Sequence, residues 1–95
     1  MTENMPKSPT IGDNEFDILV GKAREHHMAG RFGEAERLYR DILEARPGAA
    51  EVLSKLGAAL AAQGKFVESI SSLRRAIEND PDLAEAHTNL GSVFQ

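Results

Sequence analysis

The chain has 95 residues, of which 41% are apolar and 27% charged, the composition of one small folded domain and not of a disordered segment. Its formal net charge of −4, with both signs spread along the sequence, excludes the basic stripe that nucleic-acid binding requires. Cysteine is absent, which removes disulfides and thiolate-bound zinc, and the longest apolar stretch, Leu56 to Ala62, falls far short of the ~20 residues a membrane helix needs.

Residues 1–13 (MTENMPKSPTIGD) carry two prolines and no helical period, and read as a flexible tail ahead of a folded region over 14–95. No apolar run follows the first Met, so no secretory signal is expected and the chain reads as a cytoplasmic protein with no membrane partner. A first helix is expected near 15–29, with Phe16, Leu19, Val20 and Ala23 on one face. Gly30 closes it, because glycine takes the left-handed conformation that ends a helix without steric penalty. A second helix near 33–45 carries Ala35, Leu38, Tyr39 and Ile42, and Pro47 stops it by lacking an amide donor. The third, near 50–63, aligns Val52, Leu53, Leu56 and Leu60 and ends at Gly64. A fourth near 67–79 carries Ile70, Leu73 and Ile77 and is stopped by Pro81, and a fifth runs from about 84 to 95. Asp82 with Glu85, and Asn14 with Asp17, have the spacing of a capping box.

These signals repeat. Pro47 and Pro81 stand 34 residues apart, and in the same register Leu19 pairs with Leu53, Gly30 with Gly64, Phe32 with Phe66, Glu34 with Glu68, Arg40 with Arg74 and Glu44 with Glu78. A third copy opens at Ala84-Glu85 and Leu90-Gly91, matching Ala50-Glu51 and Leu56-Gly57. Small residues align as well: Ala23, Gly57 and Gly91, then Ala35 and Ser69, which lets paired helices approach closely. A period of this size marks a protein of stacked repeats.

The set Leu53, Leu56-Gly57, Leu60, Gly64-Lys65-Phe66, Ser69, Leu73, Ala76 and Pro81 resembles the tetratricopeptide repeat, a helix–turn–helix unit. The resemblance implies an all-α, right-handed α-solenoid with units at 16–49 and 50–83 and the first helix of a third over 84–95. The first unit departs from the pattern at Gly21, Lys22 and His26, and reads as a terminal repeat with one face in water. Leu90, Val93 and Phe94 are expected to be partly open at the other end, covered by the continuation of a longer protein or by another subunit.

Catalytic and ligating constellations are not expected. His26 and His27 are adjacent, so on a helix they point about 100° apart and do not share an ion, and His87 lies in a different unit. No serine sits on a strand-to-helix turn, and the glycines follow neither phosphate-loop nor dinucleotide spacing. Asp17, Glu51 and Glu85 lie at helix starts, where interaction with the helix end explains them without acid–base work. A helix-turn-helix DNA reader would not need this self-similarity and would be basic. The chain therefore reads as a non-enzyme without cofactor or metal.

The resemblance implies a partner-binding groove lined by the first helices. Its candidates are Val20 and Arg24 in the first unit, Ser54, Lys55, Ala58 and Ala61 in the second, and Thr88, Asn89 and Ser92 in the third, with Asp17, Glu51 and Glu85 along its edge. The family's terminal-carboxylate clamp is not legible, because Ser54, Ala58, Thr88 and Ser92 replace most of the donors it needs. The leading expectation is a scaffold that binds a protein or peptide along this groove. Two others stand beside it. One is the N-terminal recruiting segment of a larger glycosyltransferase-like enzyme, because the run His27 to Arg40 resembles the opening repeats of long bacterial repeat proteins that often carry a transferase domain; the other is self-association through the open C-terminal end.

Overall fold

The structure, a computed structural model, describes residues 10–95. Five helices follow in order: α1 (Asp13–Met28), α2 (Phe32–Ala45), α3 (Ala50–Ala62), α4 (Phe66–Asn79) and α5 (Ala84–Val93), and no strand occurs among the described residues. Each helix packs on the next, and α3 also touches α5. This is the contact pattern of a linear stack, in which every layer meets only its neighbours.

Glycine sets the reversals. Gly30 and Gly64 have φ of 82° and 79°, the left-handed region that a side chain rarely adopts. The following amide of Arg31 donates to His26 O (2.8 Å) while that of Gly30 donates to His27 O (3.0 Å). Thirty-four residues on, Lys65 donates to Leu60 O (2.9 Å) and Gly64 to Ala61 O (3.0 Å), so both turns satisfy the orphan carbonyls in the same way.

The helix starts differ from expectation. None of the five has a side-chain capping bond: Gly12, Ala49 and Leu83 hold the N-cap places of α1, α3 and α5, and Asn14 lies inside α1. At α5 the reason is packing. Leu83 buries its side chain against Leu53, Ala76 and Ala86, which shifts the helix start past Asp82, whose amide instead donates to Asp80 Oδ1 (3.1 Å). At the beginning of the chain, Ile11 packs on the core and Asp13 already opens α1, so the folded region begins before residue 14. The remainder of the expected tail, residues 1–9, lies outside the described residues.

The main core joins α1, α2 and α3 through Val20, Ala23, Ala35, Tyr39, Ile42, Val52, Leu56, Ala59 and Leu60. Leu53, Ala76 and Ala86 form a second, smaller cluster linking α3, α4 and α5. Between α3 and α4 the approach is close enough that a Cβ at Gly57 would stand 2.5 Å from Leu73 Cγ. Two buried hydroxyls hold this contact: Ser69 Oγ donates to Gly57 O and Ser72 Oγ to Leu53 O, each at 2.7 Å. The donors satisfy themselves on carbonyls that remain free for a second bond, so burial leaves neither serine unpaired.

Glu36 on α2 is the polar joint between the two helix pairs. It accepts from Arg40 Nε (2.8 Å), Gln63 Nε2 (2.9 Å) and Lys65 Nζ (3.2 Å). Partial burial alone would raise its pKa, but the three donors and the Lys65 charge outweigh burial and hold it at about 2. The unfolded chain returns this carboxyl to its ordinary value of 4.5, so its stabilisation is complete above that pH and is lost as pH falls through about 2. Glu36→Gln should therefore lower stability by ~1–2 kcal/mol near neutrality, given the modest worth of partly exposed ion pairs. Urea denaturation across the acid range should find the wild-type advantage shrinking as the carboxyl protonates.

Candidate functional site

Residues from three successive first helices meet on one side of the stack. Arg24, His27 and Met28 from α1, Lys55 and Ala58 from α3, and Glu85 from α5 line a pocket of about 210 Å³, with Tyr39 of α2 among its walls. Lys55 sits centrally, with Nζ 3.3 Å from Glu85 and 4.0 Å from Glu51, and so neutralises carboxylates of two helices at once. Arg24 is exposed and meets no carboxylate within ion-pair distance among the described residues. His27 packs edge-on against Phe32 and Tyr39, with ring centroids 5.3 and 6.3 Å apart. Burial, and after it the Lys55 charge, lowers the His27 pKa despite an opposing pull from Glu85, which favours a neutral ring at pH 7.

Not every expected groove residue reaches this surface. Val20 is only 7% exposed and belongs to the core, and Ser54 is fully buried where α5 covers it. Asn89 donates from Nδ2 to Ser54 Oγ (3.1 Å) and Ser54 O (3.4 Å), so this pair ties α3 to α5 and does not present a free amide to a ligand. Ala61 is half-buried, and Thr88 and Ser92 are exposed along α5 outside the pocket. Of the expected set, the pocket gathers Arg24, Lys55 and Ala58.

Three pocket residues, His27, Met28 and Tyr39, were not among the groove expectations, whereas Glu85 was expected at its edge. For all three the sequence held a signal: His27 and Met28 align with Ala61 and Ala62, and Tyr39 aligns with Leu73, so the first unit carries larger or polar groups where the second is small or apolar. The tyrosine matters most. Its side chain is fully buried, yet its hydroxyl has no hydrogen-bond partner, an arrangement that costs about 1–3 kcal/mol and is rare in folded proteins. Burial foremost raises its pKa to about 12, with Arg24 opposing and Glu85 and Glu51 assisting, so it stays an O–H donor throughout the neutral range.

Among the described residues, no three His, Asp or Glu side chains converge to hold a metal ion. His26 Nδ1 instead accepts from Arg31 Nε (2.8 Å), and His87 Nε2 lies 2.8 Å from Pro81 O. No helix among the described residues is long and apolar enough to cross a membrane.

A family model described as the tetratricopeptide repeat matches residues 20–84 and again 55–94. The chain belongs to the tetratricopeptide-repeat family. Its all-α stack of helix pairs is the repeat architecture of that family, and proteins built this way serve as platforms for protein–protein interaction. Similar proteins include "Superkiller complex protein 3" of Homo sapiens, 29% identical over 82 residues covering 86% of this chain and 5% of the relative. The "TPR repeat-containing thioredoxin TTL4" of Arabidopsis thaliana is 34% identical over 68 residues, covering 72% of this chain and 10% of the relative. "Protein SGT1 homolog" of Oryza sativa subsp. japonica is 30% identical over 75 residues, covering 79% and 20%. The tetratricopeptide chain thus spans at most a fifth of the length of these relatives.

Proposed function

We propose that this chain is a non-catalytic scaffold that holds a protein or peptide segment along the face lined by α1, α3 and α5. The observation carrying the reading is that Arg24, Lys55 and Glu85, from three successive first helices, border one pocket. Such a surface spans units, so an extended segment would bridge them without any covalent chemistry. One relative is named as a component of a complex, which agrees with a role in assembly. A cytoplasmic setting fits this reading. Capture experiments comparing wild type with an Arg24→Glu, Lys55→Glu double variant test it. Loss of bound partner with unchanged helical circular dichroism supports the groove; equal recovery by both proteins removes it.

Self-association is a second reading, favoured by three apolar side chains set among Arg74, Arg75 and Glu78. Val67, 84% exposed, Ile70 and Phe94, 63% exposed, border a shared depression at the α4–α5 end. Sedimentation that finds a monomer at high micromolar concentration would dispose of it.

A further inference from the structure

Val67, Ser71 and Arg75 border two depressions of α4 at once, one of about 350 Å³ on the α2 side and one of about 510 Å³ on the α5 side. Spaced by four residues, they form a ridge along the helix, and helices interlock by seating such ridges in grooves. All three are exposed, and the short Ser71 in the middle lets another helix come close. Glu68 flanks the ridge on the α2 side, and Ile70, Arg74 and Glu78 flank it on the other, where Phe94 of α5 completes the depression.

The charges along this ridge have a direction. Glu68 and Arg75 both border the α2-side depression, yet stand two turns apart, about 10 Å along the axis, too far to pair with each other. Glu68 reaches only Arg40, at 3.9 Å with both groups exposed. Arg75 meets no carboxylate within ion-pair distance among the described residues, Glu78 included. A second copy crossing antiparallel at Ser71 brings Glu68 of each copy to Arg75 of the other, twice by symmetry. It also lays the aliphatic stem of each Arg74 on the other copy's Val67. A parallel crossing sets glutamate on glutamate and arginine on arginine. The surface answers its own charges only when reversed, as a two-fold contact requires.

We propose that this chain forms a two-fold symmetric dimer through α4, the two helices antiparallel and crossing at Ser71. The inference rests on the self-association reading above and specifies the partner, the helix and its direction. None of these residues borders the α1–α3–α5 pocket, so the dimer leaves that pocket open on both copies.

Sedimentation equilibrium should find a monomer–dimer system at micromolar concentrations. Glu68→Arg and Arg75→Glu should each weaken it about tenfold, because each sets two pairs of like charges face to face. An equimolar mixture of these two variants should regain wild-type association, since every facing pair is then opposite in sign. Helical circular dichroism should match wild type in both, as the two side chains are exposed. The chain has no cysteine, so single introduced thiols report the direction of crossing. With copper–phenanthroline as oxidant, Ser71→Cys should yield a disulfide-linked dimer. Glu78→Cys, about 20 Å from its own copy in an antiparallel pair, should not. Cross-linking of both, growth beyond a dimer, or a mixture as weak as its components overturns the proposal. A monomer at high micromolar concentration removes the self-association reading with it. A wild-type dimer that neither charge reversal weakens keeps that reading and removes the α4 pairing.

Discussion

Leu60→Ala should lower unfolding free energy by ~2–5 kcal/mol, the range for emptying a fully buried leucine site. Leu60 is 1% exposed and packs within the cluster that joins α1, α2 and α3. A small domain has a total stability of only ~5–15 kcal/mol, so the change removes a large fraction of it. Linear architecture makes the loss harder to absorb, because no distant contact compensates when one interface weakens. The denaturant midpoint should fall sharply with helical circular dichroism as the probe. A midpoint equal to wild type would contradict the placement of Leu60 between the helix pairs.

Gly57→Ala and Gly91→Ala should shift stability in opposite directions although both occupy the same repeat position. At Gly57 a new methyl would meet Leu73 Cγ at 2.5 Å and Cδ2 at 2.7 Å, and Leu73 is itself fully buried. Displacing it also loosens the interface that Ser69 and Ser72 clasp, so ~1–3 kcal/mol of overpacking should outweigh the ~1 kcal/mol gained in helix propensity. At Gly91 nothing lies within 4 Å of the added carbon, leaving the propensity gain of about 0.5–1 kcal/mol unopposed. Thermal melts of the two single variants give the comparison directly. The same sign for both would mean that close approach of α3 and α4 does not decide the residue at this position.

Most of the fold was legible because its punctuation is covalent in origin. Gly30 and Gly64 supply backbone freedom, Pro47 and Pro81 remove a donor, and their 34-residue offset fixes the order of the elements. The helix starts were less legible. Asp82 and Asn14 had the right chemistry for caps, but burial of Leu83 and early packing of Ile11 determined where α5 and α1 begin. At the site, register carried over from the family pointed to Arg24, Lys55 and Ala58, which line one pocket, and to Val20 and Ser54, which are buried. Neighbouring residues on a helix differ by about 100° in direction, so one step in register separates a groove wall from an interhelix contact. Ser54 falls on the wrong side of that line because Asn89 reaches across to it. The Tyr39-for-Leu73 exchange was visible in the sequence, but only coordinates reveal that its hydroxyl goes unanswered.

The division of the apolar interior into a large and a small cluster has a dynamic consequence. Ala86 alone anchors α5 with full burial, whereas α3 contributes four residues to the larger cluster. Local opening should therefore begin at α5 and advance inward, so amide protons there should exchange with deuterium sooner than those of α3. The Asn89–Ser54 bond is a latch on that motion. A ligand spanning α1 to α5 would hold the latch shut and slow exchange throughout α5.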